Sequence, residues 1–296
     1  MISVTNIKKT FDSLTAVDDV SFEIQQGEIF GLLGPNGAGK TTTINMMVGA
    51  LKPDSGQVSI DGGGDPMRTE IRMKIGAAPQ ALAIYEDLTA EENVVFFGRL
   101  YGIRGRQLKE RVDWTLELVG LTERRRDRAS AYSGGMKRRL NLACSLVHDP
   151  EILLFDEPTV GVDPQSRNLI FDKIEMLRGQ GRTIVYTTHY MEEAQRLCDR
   201  VAIIDHGKIL DLDTVDNLID RHGGEAVVTA LLESPNDISV DLPGQLEGDQ
   251  LRFTSSRPLE EVARLNSSGV RFRSLKVDRA DLESVFLNLT GRRLRD

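Results

Sequence analysis

The stretch Glu28-Ile-Phe-Gly-Leu-Leu-Gly34 runs straight into Pro35-Asn36-Gly37-Ala38-Gly39-Lys40-Thr41-Thr42, and a helical pattern follows to about Ala50. No other feature of the chain restricts its fold as tightly. An apolar run that stops at glycine reads as a buried strand. The spacing G-x-x-x-x-G-K-[ST] between a strand and a helix is that of a phosphate-binding loop. Its glycines let backbone N–H groups turn inward around phosphate oxygens, at the positively polarised end of the helix. Lys40 adds a point charge for the β- and γ-phosphates, and the Thr41 hydroxyl is placed for Mg2+. Asn36, Gly37, Ala38, Gly39, Lys40, Thr41 and Thr42 are therefore the expected nucleotide-binding residues.

Around this loop the sequence alternates strand and helix patterns. "SVTNIKKTF" and "VSFEI" read as strands before Gly27, "KPDSG" as a turn and "QVSIDG" as a further strand. From Thr89 to Leu121 the pattern is helical, with Thr89 as a cap, Glu91 and Glu92 in the first turn and a stop at Gly120. "EILLFDE", "TIVYTTH" and "VAIIDHGKIL" read as strands, with "QSRNLIFDKIEMLRGQG" and "YMEEAQRLC" as the helices between them. Continuous apolar strands separated by helices predict an α/β fold with a mainly parallel sheet covered on both faces. Past Asp220 the character changes to short alternating strands ("EAVVTALLE", "ISVDL", "LRFTS", "VRFRSLKV") and two helices ("PLEEVARLNSSG", "DLESVFLNLTG"). The expected organisation is a nucleotide-binding domain over residues 1–220 and a small α+β domain over 221–296.

"ILLFDEP" ends a buried strand with two adjacent carboxylates. Alternation along a strand would send them to opposite sides. Asp156 is the expected metal residue, and Glu157 the one expected to orient and deprotonate an attacking water. A second glycine-rich stretch, Ser133-Gly134-Gly135, directly precedes a helical pattern. It has the make-up of another anion cradle, some ninety residues from the first.

This set of motifs resembles the ATP-binding-cassette family, over at least Met1 to Leu218. The resemblance implies a P-loop ATPase domain with a parallel-sheet core, an antiparallel β subdomain and a helical subdomain. It also answers why one chain carries two cradles: in that family, subunits pair head to tail on binding ATP, and the SGG helix of one closes over the nucleotide held by the other. It implies further roles in chain order. Phe11 stacks on adenine, Gln80 touches Mg2+ and begins the loop facing the membrane partner, Asp163 lies in the loop crossing the dimer interface, and His189 hydrogen-bonds the γ-phosphate. By residue type alone, Phe11 could be core, Gln80 a surface glutamine, Asp163 a turn before Pro164, and His189 a structural histidine. The sequence departs from the family pattern at Phe11 (often Tyr), Tyr132 (often Leu) and Val162 (often Leu), and none of these removes a group that contacts phosphate or metal. ATP and Mg2+ are thus the expected cofactors, and Glu157, His189 and Gln80 the expected catalytic residues.

"TTHYMEEAQRLCDRVAIIDHGKIL" and "DLESVFLNLTG" are similar to ATPase subunits of bacterial exporters for antibiotics, drugs, lipids or polysaccharides, the daunorubicin-resistance type above all. That resemblance implies a separate integral membrane permease as partner, a homodimer of ATPase subunits, and a place on the cytoplasmic face of the membrane. The alternatives are a soluble cassette ATPase acting on nucleic acid or ribosomes, and a module that holds ATP without turnover. A formal net charge of −8 disfavours nucleic acid as a partner, and the basic runs "ERRRDR" and "GRRLRD" read as solvated faces interleaved with acids. No apolar run approaches the roughly 20 residues that span a bilayer, and "MISVTNIKKTF" lacks a signal-peptide core. Cys144 and Cys198 sit in helical patterns without ligand spacing and read as inert thiols.

Overall fold

The computed structural model describes residues 1–233, 240–278 and 280–292. It divides into two compact units, Met1–Thr214 and Val215–Asp296. In chain order the first unit contains β1 (Ile2–Phe11), β2 (Leu14–Ile24), β3 (Ile29–Leu33), α1 (Lys40–Met47), β4 (Ser55–Ile60), α2 (Thr69–Arg72), β5 (Ile75–Ala78), α3 (Ala90–Leu100), α4 (Gly105–Leu118), α5 (Gly134–Leu146), β6 (Ile152–Asp156), α6 (Pro164–Gly179), β7 (Thr183–Thr188), α7 (Met191–Leu197), β8 (Arg200–Asp205) and β9 (Lys208–Thr214).

Two sheets organise these elements. β2-β1-β4 is antiparallel, and β5-β6-β7-β3-β8-β9 is parallel except for the β8–β9 pair. Every residue of β3, β6 and β7 is buried, which is why these strands read as continuous apolar runs. Between the sheets, Ile44, Met46 and Met47 of α1 pack with Ile2, Val4 and Phe22 on one side and Phe30, Leu32, Leu154 and Val185 on the other. The Phe22 and Phe30 rings stack with centroids 5.1 Å apart. Parallel register places the C-terminal ends of the three buried strands side by side: Leu33 lies beside Thr188, and Asp156 beside Thr187. The loops leaving these ends share one crevice, the usual ligand position in sheets of this kind.

The structure revises several local expectations. "VAIIDHGKIL" is not one strand. His206 and Gly207 take φ of 47° and 75°, the paired left-handed values of a tight hairpin turn, so the run folds into β8 and antiparallel β9. The helical stretch from Thr89 to Leu121 is two helices, broken at Gly102, whose φ is 80°. Thr89 caps the first through a reciprocal pair with Glu92, at 3.1 and 2.8 Å. The four-residue strand β5 was not anticipated; it pairs with β6 and is too short to show a period.

The second unit comprises α8 (Val215–His222), β10 (Ala226–Leu232), β11 (Gln245–Glu247), β12 (Gln250–Ser255), α9 (Pro258–Ser267), β13 (Phe272–Asp278) and α10 (Leu282–Thr290). Its described strands form an antiparallel sheet in the order β11-β12-β10-β13. Val228, Ala230, Leu232, Leu251, Phe253, Leu265 and Val270 make its own core. The division precedes the expected one after Asp220, because α8 packs against α10, where Asn288 Nδ2 donates to the His222 carbonyl at 2.7 Å. The expected strand "ISVDL" falls partly outside the described residues, and its Val240–Leu242 portion is not a strand. The tail "GRRLRD" lies largely outside them.

Candidate functional site

The glycine-rich loop leaves β3 and turns through Gly34–Gly39 into α1. A side chain at Gly34 would put its Cβ 2.1 Å from the Ile204 carbonyl oxygen. At Gly39, φ is 104° and a Cβ would lie 2.4 Å from the Ala16 carbonyl oxygen. Only glycine fits either position, so the loop's close wrap is dictated by composition and by the strands behind it. Lys40, the first residue of α1, folds back over the loop. Its Nζ donates to the carbonyls of Gly34 and Pro35 at 2.7 and 3.0 Å and lies 3.0 Å from Glu157 Oε1. Both partners of this ion pair are only 4% exposed. A cavity of about 450 Å³ opens beside it, lined by Phe11, Leu14, Ala16, Asn36, Gly37, Gly39, Lys40, Thr41, Thr42, Gln80 and Glu157. Phe11 stands at its rim, 45% exposed. Ala38 is buried behind the loop, where its carbonyl accepts from Gly207 N–H at 3.0 Å.

The two carboxylates diverge, though not by strand alternation. β6 stops at Asp156, and Glu157 takes a left-handed φ of 47°, uncommon for a residue with a side chain. Thr187 on the neighbouring strand holds both: its hydroxyl donates to Asp156 Oδ1 at 2.5 Å and accepts from Glu157 N–H at 2.9 Å. Glu157 then faces Lys40, while Gln80 Nε2 donates to its Oε2 at 3.0 Å. His189, just past β7, brings Nδ1 to 3.3 Å from Glu157 Oε1, within ion-pair range but without hydrogen-bond alignment. Three side chains from three separate segments of the chain therefore converge on the Glu157 carboxylate. The guanidinium of Arg138, on α5, donates to the Gln80 carbonyl and ties that loop to the helical region.

Among the described residues, no cluster of three or more His, Cys, Asp or Glu could hold a metal. What the crevice offers is the buried Asp156 carboxylate, the Thr41 hydroxyl and the Gln80 amide. That sparse, all-oxygen set fits Mg2+, which retains waters and completes its shell with substrate phosphates rather than a protein cage.

The second cradle is elsewhere. Ser133 caps α5, its Oγ accepting from Met136 N–H at 3.3 Å, and Gly134 and Gly135 are the first helical residues. A Cβ at Gly135 would sit 2.6 Å from Ser166 Oγ, whereas one at Gly134 would meet nothing closer than the Gly161 carbonyl oxygen at 3.6 Å. Asp163 caps α6 by accepting from Ser166 N–H at 2.9 Å, a bond that holds its carboxyl below the usual range. Ser133, Gly134, Gly135 and Asp163 thus gather beside one another, and none lines the 450 Å³ cavity. Cys144 and Cys198 are buried free thiols, pushed by burial well above the ordinary thiol range.

Sequence reasoning missed Glu193. It is 1% exposed and accepts three side-chain hydroxyls at the ends of β6 and β7. A signal was present: Glu193 falls in phase with the buried Ala194 and Leu197 of the same short helix, an acid on an apolar face.

A family model described as "ABC transporter" matches residues 17–160. The linearmycin resistance ATP-binding protein LnrL of Bacillus subtilis is 42% identical, covering all of both chains. The Nod factor export ATP-binding protein I of Sinorhizobium fredii is 40% identical over all of this chain and 87% of its own length. Among solved structures, a dimeric ATP-binding cassette in a post-hydrolysis state with ADP and Pi superposes with a TM-score of 0.66 at 28% identity, covering 72% of this chain and 98% of the other.

Proposed function

Since the chain belongs to the ABC transporter family as an ATP-binding and ATP-hydrolysing subunit, we propose that it powers export through a separate membrane permease, as a nucleotide-dependent homodimer on the cytoplasmic face of the membrane. The observation that carries the chemistry is the convergence of Lys40, Gln80 and His189 on Glu157 beyond the C-terminal ends of β3, β5, β6 and β7. On this reading the loop N–H groups of residues 36–42 and the Lys40 ammonium hold the β- and γ-phosphates, and Phe11 stacks on the adenine at the cavity rim. Glu157 takes a proton from water as its oxygen attacks the γ-phosphorus, while the bond to the ADP oxygen breaks. His189 donates a hydrogen bond to the γ-phosphate and steadies Glu157. Asp156, Thr41 and Gln80 would hold Mg2+, which when bound neutralises charge on the phosphates.

The separation of Ser133–Gly135 and Asp163 from the cavity supports their use on the nucleotide of a second copy. For the cargo, the support is the names of the two relatives described above, one a linearmycin resistance ATP-binding protein and one a Nod factor export ATP-binding protein. These names are in keeping with the cargo classes the sequence resemblance implied, a drug, antibiotic, lipid or polysaccharide. No observation favours nucleic acid: in the basic run at 123–128, Arg124 pairs with Asp127, and Arg125 with Glu91 and Asp113. Among the described residues no helix is long and apolar enough to cross a membrane, so a transport role requires a partner that does. The test is copurification with the permease and reconstitution in vesicles. ATP-dependent substrate movement that Glu157→Gln abolishes is the expected result, and ATPase activity with no associated permease would refute the transport role.

A further inference from the structure

We propose that Glu193 is a positioning residue that fixes Glu157 and His189 relative to each other, and so sets the turnover rate without touching nucleotide. The inference rests on the roles given above to those two residues.

Glu193 lies on α7 and is 1% exposed. Among the described residues its carboxylate pairs with no cation. Its partners are three hydroxyls. Thr159 Oγ1 donates to both carboxylate oxygens, at 2.8 and 3.0 Å; Tyr186 OH donates to Oε2 at 2.9 Å; Thr188 Oγ1 donates to Oε2 at 2.8 Å. Burial, with the Glu193 carboxylate beside it, holds the Tyr186 phenol protonated well above its usual range, which keeps it a donor.

The placement of these donors is what matters. Thr159 is two residues past Glu157, in the loop that continues to Asp163. Thr188 immediately precedes His189, and its Oγ1 also accepts from Tyr190 N–H at 2.9 Å, so it spans the turn that carries the histidine. The Thr188 carbonyl in turn accepts from Gly34 N–H at 3.3 Å, at the start of the phosphate loop. One carboxylate thereby clamps the backbone just after Glu157 to the backbone on either side of His189. The 3.3 Å separation of those two side chains follows from that clamp. If stability were the only demand, an apolar side chain of similar volume would serve as well, because burying a carboxylate is costly even when it is hydrogen-bonded. What the carboxylate supplies is a fixed geometry among three loop ends. Misplacement of a reacting group by about 1 Å can lower a rate on the order of 100-fold.

The experiment uses the full chain with Glu193→Gln and Thr188→Val, each alone and combined with His189→Ala. Steady-state ATPase gives kcat and KM, and calorimetry gives ADP affinity. Each single variant is expected to lower kcat by roughly 10- to 100-fold while KM and ADP affinity stay within about threefold. Once His189 is gone there is no relation left to hold, so either variant on the His189→Ala background should cost less than about threefold more. If Glu193→Gln does not fold, Thr188→Val, which deletes one hydroxyl and keeps the volume, carries the test. Unchanged kcat in a folded variant, or a full multiplicative loss on the His189→Ala background, overturns the proposal. Normal turnover by His189→Ala alone overturns the role of His189 and this proposal with it. A slow His189→Ala beside normal Glu193 and Thr188 variants overturns this proposal and leaves the site reading intact.

Discussion

Glu157→Gln exchanges one carboxylate oxygen for an amide nitrogen and leaves the left-handed backbone at that position unchanged, so it isolates the charge. Two effects of opposite sign should follow. Loss of the proton acceptor lowers turnover by roughly 10²–10⁴-fold, the usual worth of a general base. The second effect concerns Lys40. Its ammonium is paired with Glu157 at 3.0 Å inside the fold, and the same ammonium is the one proposed to meet phosphate. Nucleotide must therefore compete with Glu157 for it. A hydrogen bond to a charged group contributes about 1.5–3 kcal/mol net. With the carboxylate removed, that competition ends, and ADP should bind roughly 10- to 150-fold more tightly at 1.4 kcal/mol per tenfold. ADP is the right probe because it lacks the γ-phosphate that would draw two chains together and inflate apparent affinity. Calorimetry of wild type and variant with ADP, beside a steady-state ATPase assay, reads both effects. Equal or weaker ADP binding by Glu157→Gln would refute the competition argument, and near-normal hydrolysis would remove Glu157 as the base.

Three further outcomes are expected. Gly134→Asp has room for its side chain, so the isolated variant should fold and bind ATP normally yet hydrolyse none. Mixing it with inactive Lys40→Ala should restore part of the activity if the second cradle serves a partner, and loss of ATP binding by Gly134→Asp alone would place both cradles on one nucleotide. His148, stacked on Tyr101 at 3.5 Å and hydrogen-bonded to the Ile75 carbonyl, is held by burial at a pKa of about 4 against an ordinary 6.5. Because the folded value is the lower one, protonation favours the unfolded chain. The stability this histidine confers is complete above pH 6.5 and falls as pH drops toward 4, by about 2 kcal/mol at pH 5. Denaturant midpoints of wild type and His148→Phe at pH 7.5 and 5 should show a shallower pH slope in the variant, and an identical slope would count against it. A chain ending at Thr214 should fold and bind nucleotide, since each unit has its own core; insolubility of that fragment would show that the units are energetically dependent.

By itself the sequence determined the features set by local chain conformation. The phosphate loop is legible because its glycines are demanded by φ values and close backbone contacts at Gly34 and Gly39. The strand before it, the acids ending β6, and the capped starts of α5 and α6 are legible for the same reason: strand period, turn residues and caps are properties of a few consecutive residues. Where a local signal was read too coarsely, as at the His206-Gly207 turn, an apolar run longer than one strand hid a hairpin. Only the tertiary structure decided which of these pieces meet. Lys40, Gln80 and His189 are brought to the Glu157 carboxylate by the parallel register of β3, β5, β6 and β7, strands more than a hundred residues apart at the extremes. The local motifs named Lys40 and Glu157 and the resemblance named Gln80 and His189, but neither gave the Lys40–Glu157 ion pair, the Thr187 hydroxyl shared by Asp156 and Glu157, or the hydroxyl clamp on Glu193. Such contacts depend on which sheet faces are buried and in what register, and that is settled by packing of the whole core rather than by any short stretch of chain.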